Sequence, residues 1–312
     1  MNVIETYDLT KVYGKKVALD HVNITVAKGE ILGLVGKNGA GKTTLIRVLT
    51  DVAHATSGSY TLLGAATEED KERARKKVAA MVETPALYPN LTARDNLKAR
   101  AILMNYQGDL DSFCDEQLHF VGLDEVAHSS RQAKDFSLGM RQRLGIAIAL
   151  TGDPELLILD EPTNGLDPQG ILEVRNLLLR LNREKGITIL VSSHILGELS
   201  KLATRYVIID NAKIVAEASA EEVENGSGKS LHLITSDNAK AKEVVEELKF
   251  AVFEKGEELI VRNYTESGFV VTKIVQSGVL IHRMREEMGS LESYFLSHIE
   301  GEEATKAEGE RK

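Results

Sequence analysis

Several residue types and patterns are scarce in this 312-residue chain, and each scarcity excludes a class of protein. The single cysteine, Cys114, excludes an intramolecular disulfide and fits a reducing compartment. We interpret it as a small apolar residue on a helix rather than as a reactive thiol. No apolar run approaches the ~20 residues that a membrane-spanning helix needs. The first residues, MNVIE, lack the basic and apolar regions of a signal peptide. A membrane process would therefore require a second chain to supply the membrane part.

Basic residues are outnumbered by acidic ones, with 38 Lys and Arg against 47 Asp and Glu, which gives a formal net charge of −9. An acidic surface repels phosphate backbones, so we expect no duplex nucleic acid as the main partner. Proline is rare, with five residues, and no tract is of low complexity. The hydrophobic share of 43% is ordinary for a globular protein. The length suits one large domain and a smaller one.

The first part of the chain predicts strands followed by a helix. Residues 21–26 alternate apolar and polar side chains, as a half-buried strand does. Residues 31–35, ILGLV, form the continuous apolar run of a central strand. A glycine-rich loop follows, and then a helical pattern from Thr43 to about Thr50. Another strand is expected after Ser57-Gly58.

The middle of the chain predicts a helical subdomain and then a parallel sheet. The helical subdomain covers about residues 84–152, with a break near 105–109. Buried strands are expected at 156–159 and 188–191, on either side of a helix over 168–185. Strands that alternate with helices indicate a mostly parallel sheet. The fold class predicted for residues 1–224 is therefore α/β.

The last quarter of the chain predicts a separate small unit. Residues 225–230, NGSGKS, have the composition of a linker. Residues 231–300 predict a small α/β domain, with strands near 231–235 and 279–282 and a final helix near 290–298. Residues 301–312 form a charged tail that we expect to be disordered.

A phosphate-binding motif lies directly after the apolar run at 31–35. Residues 36–43, GKNGAGKT, fit the P-loop pattern G-x4-G-K-[ST] at the start of a predicted helix. Glycines let the backbone N–H groups fold around a phosphate, Lys42 reaches the β- and γ-phosphates, and Thr43 ligates Mg²⁺. The residues predicted to bind the nucleotide here are Gly36, Asn38, Gly39, Gly41, Lys42, Thr43 and Thr44. We also count Lys42 as catalytic.

The apolar strand at 156–159 ends in two acids. Asp160 is predicted to hold Mg²⁺ through water, and Glu161 to orient or deprotonate the attacking water. An apolar strand with a terminal Asp is usually structural when it stands alone. Downstream of a P-loop it indicates the second half of an ATP site.

The remaining motifs resemble those of the ABC ATPases. Residues 136–143, FSLGMRQR, are similar to the signature loop, where Ser137 and Gly139 would bind nucleotide. Residues 164–167, NGLD, resemble the D-loop with Asp167, and residues 192–194, SSH, resemble the switch histidine segment, which makes His194 catalytic. Tyr13 resembles the aromatic residue that stacks on adenine. These elements follow one another in the family's order over about residues 1–220. The resemblance implies a P-loop NTPase fold of ABC type, with an antiparallel N-terminal β subdomain and a helical subdomain beside the mostly parallel core.

A narrower resemblance is to the ATPase subunits of bacitracin-resistance and lantibiotic-immunity exporters. The signature has Leu138 in place of the first glycine and Met140 in place of the glutamine. Glu83 stands where most of the family has the Q-loop glutamine, so it is a predicted metal ligand or permease contact. The segment 290–296, SLESYFL, is similar to the last helix of that class. The side chain of Leu138 would narrow the space through which the signature backbone approaches the γ-phosphate of the ATP on the other subunit.

The resemblance implies a mechanism and a set of partners. Each ATP would lie between the P-loop of one subunit and the signature of a second copy, most simply by C₂ symmetry. ATP binding would close this dimer, hydrolysis would reopen it, and helical residues after Glu83 would pass the motion to a separate membrane permease. The protein would then lie on the cytoplasmic face of the membrane, held there by the permease.

Three alternatives stay open at this point. One is a soluble ABC ATPase that acts on nucleic acid or the ribosome, although residues 44–136 are too short for a long coiled coil and the chain has one P-loop. Another is an ABC exporter of a different hydrophobic substrate. The third is a catalytically silent regulatory module, against which the acids at 160–161 argue.

Overall fold

The computed structural model describes residues 1–226, 230–262 and 264–287. The chain divides into two compact units, the first from Met1 to Glu217 and the second from Ala218 onward. Among the described residues, no helix is both long and apolar enough to cross a membrane.

The first unit contains ten strands and seven α-helices among its described elements. The strands are β1 (Asn2–Tyr13), β2 (Lys16–Val22), β3 (Thr25–Ala27), β4 (Ile31–Val35), β5 (Ser57–Leu62), β6 (Val78–Met81), β7 (Leu156–Asp160), β8 (Thr188–Ser193), β9 (Arg205–Asp210) and β10 (Lys213–Ser219). The helices are α1 (Lys42–Leu49), α2 (Glu68–Arg75), α3 (Ala93–Leu103), α4 (Leu110–Phe120), α5 (Leu138–Ala149), α6 (Pro168–Lys185) and α7 (Leu196–Leu199).

The N-terminal sheet is antiparallel, as predicted, and β1 pairs in it with β2, β3 and β5. The prediction of one strand over residues 21–26 is wrong, because β2 ends at Val22 and β3 begins at Thr25. The buried hydroxyl of Thr6 explains the break. It donates to the carbonyl of Val22 at 2.9 Å and accepts from the N–H of Ile24 at 2.8 Å. A side chain thus replaces the ladder hydrogen bonds at this point.

The second sheet of the first unit has the order β10-β9-β4-β8-β7-β6. Neighbours from β9 to β6 pair in parallel, which confirms the predicted parallel core. Every residue of β4, β7 and β8 is buried. The carboxyl ends of these three strands meet at one edge of the sheet, the usual place for a ligand in such folds. The topology therefore brings the P-loop, the two acids and His194 to the same edge.

Helices α3, α4 and α5 lie between β6 and β7 in the chain, within the predicted helical subdomain. The break between α3 and α4 includes Asn105, which has a φ of 55°. Cys114 is fully buried on α4, and burial raises the pKa of its thiol. A raised pKa lowers the thiolate fraction, so the structural role predicted for this cysteine is supported.

After a first helix, the second unit has the βαββαβ order of a ferredoxin-like domain. Its elements are α8 (Ala220–Gly226), β11 (Ser230–Thr235), α9 (Asn238–Glu247), β12 (Ala251–Lys255), β13 (Glu258–Arg262), α10 (Ser267–Gln276) and β14 (Ile281–Glu287). The sheet order is β12-β13-β11-β14 and its printed pairs are antiparallel. Buried residues of both helices, among them Val245 and Val270, pack with Leu231 and Val261 of the sheet. This apolar cluster is the core of the unit.

Three of the six residues predicted as a linker belong to a helix or a strand. Residues 225 and 226 end α8, and Ser230 begins β11. A capping box starts α8, since the Ser219 hydroxyl accepts from the N–H of Glu222 at 3.0 Å and the Glu222 carboxylate accepts from the N–H of Ser219 at 2.7 Å. The strand predicted near 279–282 begins later, at Ile281. Residues 227–229, the predicted helix at 290–298 and the charged tail lie outside the described residues.

Candidate active site

The loop of residues 36–43 needs glycine at two positions. A Cβ on Gly36 would lie 2.4 Å from the carbonyl oxygen of Ile209, and a Cβ on Gly41 would lie 2.7 Å from that of Ala18. Gly41 also has a φ of 123°, which side chains rarely adopt, and it precedes the first turn of α1. At these two positions the loop backbone therefore packs against its neighbours with no room for a side chain. Its N–H groups and the start of α1 form a cradle suited to an anion.

Lys42 is a buried cation inside this cradle, with only 3% of its side chain exposed. Its Nζ donates to the carbonyls of Gly36 at 2.7 Å and of Lys37 at 3.2 Å. The same atom lies 3.2 Å from Oε1 of Glu161. A buried ammonium group is costly unless anions and carbonyls surround it. Lys42 thus supplies a fixed positive charge at the bottom of the site.

A cavity of about 180 Å³ lies in front of the cradle. It is lined by Tyr13, Lys16, Ala18, Asn38, Gly39, Gly41, Lys42, Thr43, Thr44 and Glu161. Tyr13 is 44% exposed, and the Nζ of Lys11 lies 4.8 Å from the centre of its ring. The exposed ring of Tyr13, the buried ammonium group of Lys42 and the glycine cradle together fit a nucleotide with a triphosphate. The sequence interpretation missed Lys16 and Ala18, which become neighbours of the P-loop only through the antiparallel sheet.

The two acids at the end of β7 are held by a residue without a predicted role. Ser192, fully buried at the end of β8, donates to Oδ1 of Asp160 at 2.6 Å. Its hydroxyl also accepts from the N–H of Glu161 at 2.9 Å. Glu161 has a φ of 48°, so the chain turns sharply after Asp160. The available sequence signal was a polar residue at the end of an otherwise apolar buried strand.

Glu161 contacts both of the other residues predicted to be catalytic, His194 and Lys42. Its Oε2 lies 2.6 Å from Nδ1 of His194, and its Oε1 lies 3.2 Å from Nζ of Lys42. The Glu161 side chain is 18% exposed and that of His194 is 32% exposed. A carboxylate held on both oxygens and still open to solvent can orient a water molecule and accept its proton.

Thr43 and Asp160 fit a hard divalent cation. A hydroxyl and a carboxylate supply the oxygen ligands that Mg²⁺ prefers, and phosphate oxygens and water usually complete its shell. No group of three or more His, Cys, Asp or Glu that would form an all-protein metal cage occurs among the described residues. A site completed by phosphate does not need such a group.

Glu83, the third predicted metal ligand, forms an ion pair with a residue of α1. Its carboxylate forms an ion pair with Arg47 in the last turn of α1, and its side chain is 60% exposed. Glu83 has a φ of 66° and is not among the residues that line the 180 Å³ cavity. Its predicted contact with the metal stays a prediction.

The signature and D-loop residues lie apart from the lining of that cavity. Ser137 caps α5 by accepting from the N–H of Met140 at 3.2 Å, and Asp167 caps α6 by accepting from the N–H of Gly170 at 2.8 Å. A Cβ on Gly139 would lie 3.6 Å from the Cα of Gly170, so the two helix starts are in contact. The predicted nucleotide-binding residues therefore fall into two sets, one at the cavity and one at these helix starts.

Comparison with known proteins agrees with this geometry. Residues 19–164 match the family described as ABC transporter. The bacitracin transport ATP-binding protein BcrA of Bacillus licheniformis is 40% identical over 303 residues, which cover 96% of this chain and 98% of BcrA. The lantibiotic transport ATP-binding protein SrtF of Streptococcus pyogenes is 43% identical over 223 residues, 72% of this chain and 93% of SrtF.

Solved structures give the same result for the fold. The structure of an ATP-binding subunit of an ABC transporter superposes with a TM-score of 0.61 at 30% identity, covering 72% of this chain and 92% of that subunit. The family match includes the P-loop, the signature loop and the two acids at the end of β7. The chain belongs to the ABC transporter family, as one of its ATP-binding, ATP-hydrolysing subunits.

Proposed function

We propose that two copies of this chain and a separate membrane permease form a transporter that exports, or protects the cell against, a bacitracin-like or lantibiotic peptide. The observation that supports the ATPase activity is the Glu161 carboxylate, which lines the cavity and is held between Lys42 and His194. The peptide part is supported by relatives named for bacitracin and lantibiotic transport. The match to BcrA extends over nearly the whole chain, including the second unit.

The arrangement assigns a step to each residue. Tyr13 stacks on the base, and the cradle and Lys42 hold the phosphates. Mg²⁺ held by Thr43 and Asp160 would supply positive charge for the phosphate oxygens. Glu161 orients a water molecule whose oxygen bonds to the γ-phosphorus while the bond to the ADP oxygen breaks, and it accepts the released proton. His194 holds Glu161 in place during this step.

The signature residues of one copy do not line its own cavity, so we expect a second copy of the chain to supply them. Ser137 and Gly139 lie at the start of α5, outside the lining of the cavity, although the family's signature binds nucleotide. Two copies related by C₂ symmetry would each contribute these residues to the other's ATP. This proposal predicts two equivalent sites per dimer.

A groove beside Glu83 is suited to the permease. Its volume is about 660 Å³, and it is lined by residues just after α1, by residues 80–82 and 84–88, and by parts of α3 and α5. Apolar side chains such as Met81, Leu87 and Leu103 contribute to the lining. We infer that an apolar segment of the permease binds there and keeps the protein on the cytoplasmic face of the membrane. The Arg47–Glu83 ion pair connects the segment that lines this groove to α1, the helix that follows the P-loop.

A deletion experiment tests the proposed substrate. Cells that lack the protein should become sensitive to a bacitracin-like or lantibiotic peptide, with nutrient uptake unchanged. Wild-type protein should restore resistance, and a Glu161→Gln variant, expressed to the same level, should not. Unchanged inhibitory concentrations across a panel of such peptides would point to export of another substrate. Co-purification with ribosomes instead of membrane proteins would favour the soluble ABC ATPase.

A further inference from the structure

Leu138 occupies the first-glycine position of the signature, and the structure shows where its side chain goes. A Cβ on Gly165 would lie 3.3 Å from Cδ2 of Leu138, so the leucine covers the face of Gly165. Gly165 has a φ of 76° and belongs to the loop between β7 and α6. Leu138 is the first residue of α5 and is 37% exposed. Its side chain therefore contacts the D-loop of its own subunit.

Two further contacts hold the same pair of helices together. A Cβ on Gly139 would be 3.6 Å from the Cα of Gly170 and 4.0 Å from a methyl carbon of Leu166. Arg143, with 12% of its side chain exposed, lies 3.1 Å from a carboxylate oxygen of Glu173. The signature end of α5 thus rests on the start of α6, and Leu138 extends this contact to the loop before α6.

We propose that Leu138 is a positioning residue that fixes residues 164–166 to the start of α5. Ser137 and Asp167 are then presented to the second copy of the chain as one surface. A loop that is ordered before association loses less conformational entropy when the dimer forms. This inference rests on the proposed ATP-dependent dimer. Leu138 then favours dimer formation and does not obstruct the nucleotide bound to the partner.

The dimer dissociation constant tests this role in a Glu161→Gln background, where ATP is bound but not turned over. Leu138→Ala should raise that constant about tenfold, a change of about 1.4 kcal/mol. Alanine keeps helix propensity at the first position of α5, so the loss reports the missing contact. The ATP affinity of the monomer and its thermal midpoint should stay near those of the parent. Leu138→Met should restore dimerisation, and Ile102→Ala, at a 64% exposed aliphatic residue of α3, should have no effect.

Amide hydrogen exchange in the monomer provides a second test that does not need a dimer. Leu138→Ala should accelerate exchange of residues 164–166, where the N–H groups of Asn164 and Leu166 bond to carbonyls within the same loop. Unchanged exchange, or a dimer as tight as the parent's or tighter, would overturn the proposal. If Glu161→Gln alone forms no dimer with ATP, the proposed function fails, and the dimer role of Leu138 fails with it.

Discussion

Nδ1 of His194 lies 2.6 Å from Oε2 of Glu161, and the other oxygen of the same carboxylate lies 3.2 Å from Nζ of Lys42. One side chain thus connects the start of α1, the end of β7 and the end of β8. A carboxylate held on both oxygens has few orientations open to it, and a general base acts best from a fixed position.

His194→Ala should lower kcat because Glu161 loses one of its two fixed partners. A hydrogen bond to a charged group contributes about 1.5–3 kcal/mol, equivalent to about 10- to 100-fold in rate. ATP affinity should change little, since His194 does not line the cavity. Steady-state ATPase assays and ATP titrations measure the two quantities. A fall in ATP affinity with unchanged kcat would assign His194 to binding.

Ser192→Ala should impair both folding stability and turnover. The substitution leaves the N–H of Glu161 without its acceptor and removes a donor from buried Asp160. An unsatisfied buried group costs about 1–3 kcal/mol, so the free energy of unfolding should fall by about that amount. Ser193→Ala is the control, because Ser193 bonds to the N–H of Ile195 and touches neither acid. Equal ATPase rates in the two variants would show that Ser192 does not position the site.

Tyr13→Ala should weaken the binding of ATP and GTP to a similar degree. Stacking on an aromatic ring is worth ~1–3 kcal/mol per base and depends little on which base it is. Tyr13→Phe keeps the ring and should bind both nucleotides as the wild type does. Fluorescence titration with the two nucleotides is sufficient. Unchanged affinity in Tyr13→Ala would give Tyr13 a packing role.

The parallel core followed from the sequence because its signals are local. The apolar runs at 31–35 and 156–159 and the helical pattern at 168–185 became β4, β7 and α6 almost residue for residue. Each of these segments is buried in the sheet or packed on it, so burial alone determined its pattern.

The parts that the sequence did not reveal depend on partners far away in the chain. Thr6 breaks the strand predicted at 21–26 from a neighbouring strand. Ser192 bonds to acids at the end of another strand, and Leu138 contacts Gly165 only because α5 and α6 lie side by side. No local periodicity reports such contacts. The capping box of α8 is a different case, because the three-residue spacing of Ser219 and Glu222 is visible in the sequence itself.

Glu83→Gln should leave the ATPase rate of the soluble protein within about threefold of wild type, which is under 1 kcal/mol in barrier. Glu83 pairs with Arg47 and is not among the residues that line the cavity, so we expect no catalytic contact to be lost. In the assembled transporter the same change should reduce peptide resistance, because the residues on both sides of Glu83, 80–82 and 84–88, line the proposed permease groove. Arg47→Gln, which removes the other partner of the ion pair, should reproduce this effect.

The two assays separate the roles open to Glu83. Loss of soluble ATPase in Glu83→Gln would place Glu83 at the metal. No change in either assay would make Glu83 a solvated loop acid.

The turnover of Glu161→Gln tests the central claim most directly. Glutamine keeps the size of the side chain but cannot accept the proton of the attacking water, so kcat should fall ~10²–10⁴-fold. ATP affinity should be retained, and ATP should trap a closed dimer that size-exclusion chromatography detects. Near-wild-type ATPase activity in purified Glu161→Gln would contradict the account, because the residue that joins Lys42 and His194 would then not be the base.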